Sequence, residues 1–476
     1  MSESTHPGKP AVIENRLFIN GEFVPSRSGK KFDLYNPATE ALSASVYEAD
    51  GEDVDRAVAA AKAAFPAWSE LGGMQRAVYL NRWADLLEKN LAEISYLDAI
   101  CMGKPAYNDA IAHYIPTIVR FFAAKAFDVT GESSLNTPDF INISLRQPFG
   151  VCGAIIPWNG PCVMLVQKAA GALITGNTLV MKSSEKAPLS CLVAARCARE
   201  AGLPAGVFNL LNGYGRPCGE AIARHLEIRK ISFTGSTLTG KAIQRMAAES
   251  NLKSVTLELG GKSPLVIWDD ADLAKAVPAA ATSILLNTGQ ACFASSRIYV
   301  HQRIAPDFLD RLTSAMTAHG ASGDPLARDT TRGPQADKQQ FERVMSYLSL
   351  ARDGHITTPL GGTRGPEPGY FIAPTILTDV PETSRLMKEE IFGPVVIVNT
   401  FHDEDEVMQK ANDTEYGLYA SVFTRDLGRA LRAAKRLEAG TVGVNCTSPT
   451  LAFDMPFGGR YASDYWTELK SVLISL

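Results

Sequence analysis

Short apolar runs alternate with segments of helical periodicity through the middle of the chain. The runs have the length of buried strands, and the residues between them repeat apolar side chains every three or four positions, as in 191–201 and 241–249. Strands joined by helices predict a parallel sheet with helices on both faces. The predicted strands are 151–156, 179–182, 207–211 and 231–234.

The flanking regions extend this pattern. Residues 17–24 predict a hairpin, while 54–68 and 76–97 have the periodicity of helices. A second alternating block extends from Lys262 to about Gly440. No internal repeat or long linker interrupts the 476 residues, for which two or three domains are expected.

Composition narrows the classes of protein. The hydrophobic fraction is 46%, the charged fraction 21% and the net charge -4, which give no sign of a nucleic-acid or membrane partner. No apolar run approaches the ~18 residues of a membrane-spanning helix, and the first residues lack the core of a signal peptide. The eight cysteines are expected to be reduced, and the absence of Cys-x-x-Cys or His-x-x-x-His spacing predicts no metal site. These features are typical of a soluble cytoplasmic protein.

One thiol and one carboxylate are the strongest candidates for chemistry. Cys292 lies among small residues that can leave a thiol exposed in a cleft, and Glu258 precedes Gly260 and Gly261, which can present a carboxylate on a tight turn. A thiol nucleophile and a carboxylate base suit attack on a carbonyl carbon followed by hydrolysis of a thioester. The alternatives are a cysteine that packs as a small hydrophobic residue and a solvated carboxylate on a turn.

Two glycine-rich turns are candidates for phosphate binding. The segment 213–219 is one residue too long for the usual dinucleotide fingerprint and fits a plain loop between a strand and a helix equally well. The segment 235–242 nearly matches a P-loop, but Ala242 stands where the magnesium-binding hydroxyl is needed, which argues against an ATPase. Its backbone N–H groups at a helix N-terminus still suit a dinucleotide pyrophosphate.

Seven short motifs follow one another along the chain. They are Pro157-Trp158-Asn159, Gly176-Asn177-Thr178 leading to 182–185, 233–237, 257–262, the Cys292 segment at 287–297, 390–394 and 456–459. In order and spacing they resemble the NAD(P)-dependent aldehyde dehydrogenase superfamily, and the resemblance extends from about residue 17 to the C-terminus.

The resemblance implies catalytic roles. Cys292 would be the nucleophile, Asn159 and the Cys292 backbone N–H would stabilise the oxyanion, and Glu258 would activate the water that hydrolyses the thioester. Lys168 would lie close to Glu258 and assist it, although a surface lysine on a helix fits the sequence equally well. Nicotinamide would accept the hydride, so the expected cofactor is NAD, with NADP as the alternative.

The resemblance also implies a cofactor site. Lys182 and Glu185 would hold the adenosine ribose, and because a carboxylate repels a 2′-phosphate, NAD is favoured. Glu390 would hold the nicotinamide ribose. The other residues expected at the cofactor are Ile156, Pro157, Trp158, Ser184, Gly215, Gly219, Phe233, Thr234, Gly235, Ser236, Leu259, Gly260 and Phe392.

The substrate pocket departs from the family pattern. Gly160 follows Pro-Trp-Asn where many relatives have an aromatic residue, which predicts a wider mouth and a bulky or specialised aldehyde. The other residues expected to line the pocket are Met164, Phe293, Phe453 and Phe457.

The C-terminal segment departs from the pattern as well. After Gly459 relatives carry a stretch like Lys-x-Ser-Gly-x-Gly-Arg-Glu and a short helix, whereas here only 460–466 precede the closing segment 467–472. Two alternatives to an active dehydrogenase follow. One is an NAD-binding relative with little turnover, and the other is an esterase that uses the same thiol and base.

The architecture implied by the resemblance has three parts. They are a doubly wound NAD-binding domain (1–123 and 149–258), an α/β catalytic domain (259–440), and a small β-flap for oligomerisation with the C-terminal segment (124–148 and 441–476). The expected assembly is a homodimer or homotetramer, with 471–476 as an edge strand added to a partner subunit.

Overall fold

The computed structural model describes residues 6–109, 111–319, 321–450, 452, 455 and 457–465. The helices of this part of the chain are α1 (Gly51–Glu70), α2 (Gly73–Lys89), α3 (Leu91–Met102), α4 (Tyr114–Ala124), α5 (Pro161–Ile174), α6 (Leu189–Glu200), α7 (Glu220–Arg224), α8 (Thr237–Ser250), α9 (Leu273–Leu285), α10 (Ala305–Ala318), α11 (Lys338–Asp353), α12 (Arg385–Lys388), α13 (Glu404–Asn412) and α14 (Leu427–Arg436). The strands are β1 (Leu17–Ile19), β2 (Glu22–Val24), β3 (Lys31–Tyr35), β4 (Leu42–Tyr47), β5 (Glu132–Ser134), β6 (Asn142–Ser144), β7 (Val151–Ile155), β8 (Thr178–Lys182), β9 (Phe208–Leu211), β10 (Ile228–Thr234), β11 (Ser254–Glu258), β12 (Pro264–Ile267), β13 (Arg297–His301), β14 (Ala321–Ser322), β15 (Thr330–Arg332), β16 (Thr357–Leu360), β17 (Thr375–Thr378), β18 (Val395–Phe401), β19 (Tyr419–Phe423), β20 (Thr441–Val444) and β21 (Asp464–Tyr465).

The first sheet is doubly wound. Its strand order is β2-β1-β9-β8-β7-β10-β11-β21, and the five strands from β9 to β11 are parallel. Successive strands proceed outward from β7 to β9, and the chain then returns to place β10 on the other side of β7. Ligands of such sheets bind at the carboxyl ends of the strands where the order reverses. The loops that follow β7 and β10 therefore mark the expected cofactor crevice.

The second sheet forms another α/β unit. Its order is β16-β17-β18-β13-β12-β19-β20, parallel except for the edge pair β16–β17. The strand Thr441–Val444 completes this sheet just beyond the predicted limit of the catalytic domain at residue 440. The segment 259–263 between β11 and β12 connects the two sheets.

Buried apolar side chains fill the layers between the sheets and their helices. One large cluster includes Trp68, Trp83 and Phe122 and joins α1–α6 to one face of the first sheet, and a second cluster joins α1, α7 and α8 to the other face. Two further clusters cover the faces of the second sheet. The predicted α/β fold is confirmed, including the four parallel strands and the hairpin of β1 and β2.

One predicted helix is wrong. The periodic segment 76–97 is divided into α2 and α3 at Asn90, whose φ is -104° and ψ 10°. The Asn90 side chain donates to the carbonyl of Leu86 at 2.7 Å, and such local side-chain bonds compete with helix continuation. The helix α3 is buried on nearly every side, so apolar periodicity could not reveal the break.

The strands β5 and β6 form the separate hairpin expected of a flap. They pair antiparallel, and apolar side chains of this region lie in solvent, including Leu135, Phe140, Ile141, Ile143 and Leu145. The predicted C-terminal edge strand at 471–476 lies outside the described residues. Within the described ranges, no helix is long and apolar enough to cross a membrane.

Candidate active site

Two glycines bring the two candidate catalytic groups together. The strand β11 ends at Glu258, and the turn after it contains Gly260 and Gly261. A Cβ added to Gly261 would overlap the carbonyl oxygen of Cys292, and one added to Gly260 would lie 2.7 Å from Oε2 of Glu390. The absence of side chains here therefore allows three segments that are distant in sequence to meet at one turn.

A cavity of about 1210 Å³, measured out to its opening, contains the candidate nucleophile and base. Cys292, Glu258 and Asn159 all line it, together with Gly160, Met164, Phe293 and Phe457 of the predicted substrate pocket. Phe293 and Phe457 meet edge to face, with ring centroids 6.5 Å apart. Phe453 lies outside the described residues.

The surroundings of Cys292 favour its thiol form. Burial raises the pKa of Cys292, and the negative charges of Glu258 and Glu390 raise it further. Its side chain is still partly exposed, which leaves the sulfur accessible from the cavity. Attack on a carbonyl therefore requires removal of the thiol proton, for which Glu258 is placed in the same cavity.

Asn159 is fixed beside the cysteine loop. Its Nδ2 donates to the carbonyl of Gln290 at 3.0 Å, while Nδ2 of Asn287 donates to the carbonyl of Asn159, also at 3.0 Å. Because an amide nitrogen carries two hydrogens, a second N–H of Asn159 can serve an oxyanion. This geometry suits the predicted oxyanion role of Asn159, because Asn159 and Cys292 line the same cavity.

Lys168 lines a neighbouring cavity. Its buried Nζ donates to Oγ of Ser232 at 2.9 Å, in a cavity that Thr256 also lines. Gln167 lines both cavities and so marks the wall between them. The predicted assistance of Glu258 by Lys168 remains a prediction.

The short C-terminal segment packs directly on the catalytic turn. The backbone carbonyl of Ser463 accepts from the N–H of Leu259 at 2.9 Å, and its Oγ donates to the carbonyl of Gly260 at 2.6 Å. The same Oγ accepts from the N–H of Gly417 at 3.0 Å. Ser463 thereby ties the turn after Glu258 to the second α/β unit.

The crevice at the switch point of the first sheet fits a dinucleotide. At the end of β8, Nζ of Lys182 lies 3.5 Å from Oε2 of Glu185, a donor and an acceptor side by side, as a ribose diol requires. A Cβ added to Gly215, in the loop after β9, would meet no atom within 4 Å. Ser236 caps α8, whose N-terminal N–H groups suit a phosphate.

The other predicted cofactor residues lie in or near the loops at the carboxyl ends of the first sheet's strands, and their role at a cofactor stays a prediction. Phe233 and Leu259 are buried, and the backbone of Ile156 is bonded to that of Lys182. The N–H of Gly235 donates to the carbonyl of Glu258 at 3.0 Å, which links the cofactor loop to the catalytic strand. Pro157, Ser184, Gly219 and Thr234 lie in or beside the loops that follow β7, β8, β9 and β10.

Glu390 and Phe392 lie across the crevice on the second α/β unit. Oε1 of Glu390 accepts from the N–H of Gly261 at 2.9 Å, and burial raises the pKa of Glu390 to about 7. The rings of Phe392 and Trp158 meet edge to face at 5.5 Å. Trp158 and Phe392, which were predicted from separate motifs, are therefore in contact.

Several residues of the site were not predicted from the sequence. Gln340 donates to the carbonyl of Phe392 at 2.8 Å and Arg343 to that of Glu390 at 3.0 Å, so α11 holds this segment. Tyr114 and Phe121 of α4 line the substrate cavity. The amphipathic pattern of α4 could indicate a buried face but not what that face surrounds.

A partly exposed thiol, a buried carboxylate and an amide line one cavity beside the loops that suit a dinucleotide, an arrangement typical of an oxidoreductase that acts on carbonyl compounds. The profile of the aldehyde dehydrogenase family matches residues 23–471. The mitochondrial aldehyde dehydrogenase of Leishmania tarentolae is 44% identical over 471 residues, covering 98% of this chain and 94% of the relative. Cytosolic aldehyde dehydrogenase 1 of Rattus norvegicus is 39% identical over 501 residues, covering 100% and 99%.

A solved structure agrees with the sequence comparisons. The NAD+ complex of an aldehyde dehydrogenase from Bacillus cereus has a TM-score of 0.94 and 42% identity, covering 97% of this chain and 94% of that chain. The chain belongs to the aldehyde dehydrogenase family, whose members oxidise aldehydes to carboxylic acids with NAD(P)+. The predicted family, fold and reaction class are confirmed. Similarity over nearly the full length of these relatives argues against the weakened and esterase alternatives.

Proposed function

We propose that the chain is an NAD-dependent aldehyde dehydrogenase with Cys292 as nucleophile, Glu258 as base and Asn159 as oxyanion donor. The observation that carries this proposal is the common cavity that all three residues line. It sits beside a crevice whose Lys182–Glu185 pair suits a ribose.

The reaction begins when the Cys292 thiol passes its proton to Glu258, which releases it to solvent, and the sulfur forms a bond to the carbonyl carbon of the aldehyde. The carbonyl oxygen becomes an oxyanion that accepts hydrogen bonds from Nδ2 of Asn159 and the backbone N–H of Cys292, each donor being worth about 3 kcal/mol in comparable sites. The hydride that leaves this carbon as the thioester forms needs an acceptor, and a nicotinamide held by Lys182, Glu185 and Glu390 would supply one.

Hydrolysis then regenerates the thiol. Glu258 accepts a proton from water as the water oxygen attacks the thioester carbon, and the carbon–sulfur bond breaks to release a carboxylic acid. Glu258 then returns the proton to the departing sulfur, which restores the thiol. In this step Glu258 acts from the end of β11, where the Gly260-Gly261 turn holds it close to the backbone of Cys292.

The expected substrate is a bulky, uncharged aldehyde. Glu258 is the only charged residue among the described residues that line the cavity, and most of the others are apolar or aromatic. A Cβ on Gly160 would meet nothing closer than Cγ of Met164 at 4.0 Å, so the position of the missing aromatic side chain remains open space. Glu185 supports NAD over NADP because a carboxylate repels a 2′-phosphate.

We also propose a cytoplasmic homodimer or homotetramer assembled through the flap at 124–148. The proposed NAD-binding domain is 1–123 and 149–258, and the proposed catalytic domain begins at 259 and extends through the strand Thr441–Val444. The separate β5–β6 hairpin and its exposed apolar side chains support the flap. The relatives include both a cytosolic and a mitochondrial enzyme. Cell fractionation with an antibody against the untagged full-length chain tests the compartment.

The activity is tested with purified protein, NAD+ and a panel of aldehydes, by following NADH absorbance. Cys292→Ala is expected to abolish turnover, and Cys446→Ala, which removes the other partly exposed thiol, is the matched control. Turnover by the Cys292→Ala variant would contradict the mechanism.

Gly160→Phe tests the width of the pocket. It is expected to raise KM for bulky aldehydes and leave KM for short aldehydes unchanged, because the φ of -150° at Gly160 admits a side chain. Equal effects on all aldehydes would contradict the wide-pocket proposal.

A further inference from the structure

A closed ring of contacts joins the loops after β7 and β8 to α11 and to the segment before β18. The Lys186 ammonium lies over the Trp158 ring at 5.4 Å from its centroid, and Trp158 meets Phe392 edge to face. Nζ of Lys186 forms an ion pair with Oδ2 of Asp337 at 2.6 Å. The ring is completed by Gln340, whose N–H is capped by Asp337 and whose Nε2 donates to the carbonyl of Phe392.

The ion pair joins the two α/β units. Lys186 follows β8 of the first sheet, whereas Asp337 begins α11, which packs on the second sheet. The two side chains are 17% and 33% exposed, so the pair is only partly screened by solvent. Opening of the crevice between the units would separate Lys186 from Asp337 and Trp158 from Phe392.

The same loop serves both sides of the crevice. Lys182 and Glu185 face the proposed ribose, and Lys186, the next residue, reaches the opposite unit. The ion pair to α11 therefore lies one residue from Glu185 of the proposed ribose-binding pair. Through Gln340 and Arg343, α11 also holds the segment that contains Glu390 and Phe392.

We propose that Lys186 and Asp337 form a clamp that restrains opening of the crevice and slows release of a nicotinamide dinucleotide. The inference rests on the proposed cofactor site. Lys186 and Asp337 are positioning residues, because they act by holding Trp158 and the α11–Phe392 segment in place.

The test measures the rate of NADH release by stopped-flow fluorescence, with excess NAD+ as the displacing ligand. Lys186→Gln and Asp337→Asn are each expected to speed release about two- to fivefold, the effect of a partly exposed ion pair. Asparagine keeps the cap of α11 while it removes the charge. The double variant should match either single variant, and Lys186→Arg should restore slow release.

The matched control is Lys410→Gln, which breaks a pair of the same length, 2.6 Å to Glu406, within one helix. The control should leave NADH release unchanged, and kcat/KM for the aldehyde at saturating NAD+ should not change in any of these variants. The clamp would be overturned if Lys186→Gln and Asp337→Asn had additive effects on the rate of NADH release, or if neither changed that rate. Failure of the wild-type chain to bind NADH at all would instead overturn the proposed cofactor site.

Discussion

At the scale of single residues, the site combines a nucleophile and a base that oppose each other electrostatically. The charge of Glu258 raises the pKa of Cys292, so an ionised base keeps the resting thiol protonated. Uptake of the thiol proton by Glu258 would remove that opposing charge. The pair therefore favours a thiol that is protected between turnovers and activated only by proton transfer.

The first prediction concerns this opposition. Glu258→Gln removes a negative charge beside the sulfur and is expected to lower the pKa of Cys292. Alkylation by iodoacetamide should therefore be faster at pH 8 in the variant, while steady-state turnover falls because the base is lost. The rate is measured by mass spectrometry of the Cys292 peptide.

The control for this experiment is Glu382→Gln, a carboxylate outside the cavity that accepts from Tyr299. It should leave alkylation of Cys292 unchanged. Slower alkylation in Glu258→Gln than in the wild type would mean that Glu258 activates the thiol by another route than its charge.

At the scale of secondary-structure elements, the sequence predicts strands and turns better than contacts. The apolar runs of β7, β8, β9 and β10 identify a parallel sheet because both faces are buried. The Gly260-Gly261 pair predicts a tight turn, but only the fold reveals that Cys292 and Glu390 are the neighbours that require it. Contacts between residues far apart in sequence leave no periodic signal; Gln340 and Phe392 are 52 residues apart, and Ser463 and Gly260 are 203 apart.

The second prediction concerns the short C-terminal segment. Ser463→Ala removes the bonds of its Oγ to the Gly260 carbonyl and the Gly417 N–H, and leaves both groups buried. The expected cost is about 1–3 kcal/mol of stability, with a fall in kcat because the Glu258 turn loses its support.

Both effects are measured by thermal unfolding and initial rates. Ser314→Ala, in which an exposed hydroxyl bonds within α10, is the control and should change neither. An unchanged kcat in Ser463→Ala would show that the turn keeps its geometry without this residue.

At the scale of the whole molecule, stability should depend on pH through a lysine buried near the junction of the two sheets. Burial lowers the pKa of Lys262 to about 7, and Arg297 nearby lowers it further. In the unfolded chain the pKa returns to its ordinary value of 10.5. Between these values the unfolded state binds the extra proton, so the free energy of unfolding should rise with pH.

The third prediction is that Lys262→Met flattens this rise. A single such group contributes at most about 1.4 kcal/mol per pH unit, between pH 7 and about pH 10. Melting temperature is measured across that range for the wild type and the variant. Lys338→Met, at an exposed position, should keep the wild-type slope. Identical slopes for Lys262→Met and the wild type would contradict the prediction.

The fourth prediction concerns assembly. Ile143 and Leu145 of the flap are 67% and 74% exposed, an unusual state for large apolar residues close together. If the flap is covered by another subunit, Ile143→Asp with Leu145→Asp should shift the chain towards monomers in light scattering after size exclusion. The control Leu427→Asp changes a similarly exposed residue of α14 and should leave the mass unchanged. A wild-type mass for the flap variant would contradict assembly through this hairpin.

The Gly260-Gly261 turn has a consequence for how this molecule can change. At Gly261 even one methyl group would overlap the backbone of the nucleophile, whereas at Gly160 the nearest atom is 4.0 Å from an added carbon. Mutations can therefore accumulate along the pocket wall without displacing the reacting groups. The turn at Gly261 therefore tolerates no side chain, whereas the pocket wall at Gly160 does. New aldehyde preferences can evolve or be engineered at Gly160 while the reaction itself is retained.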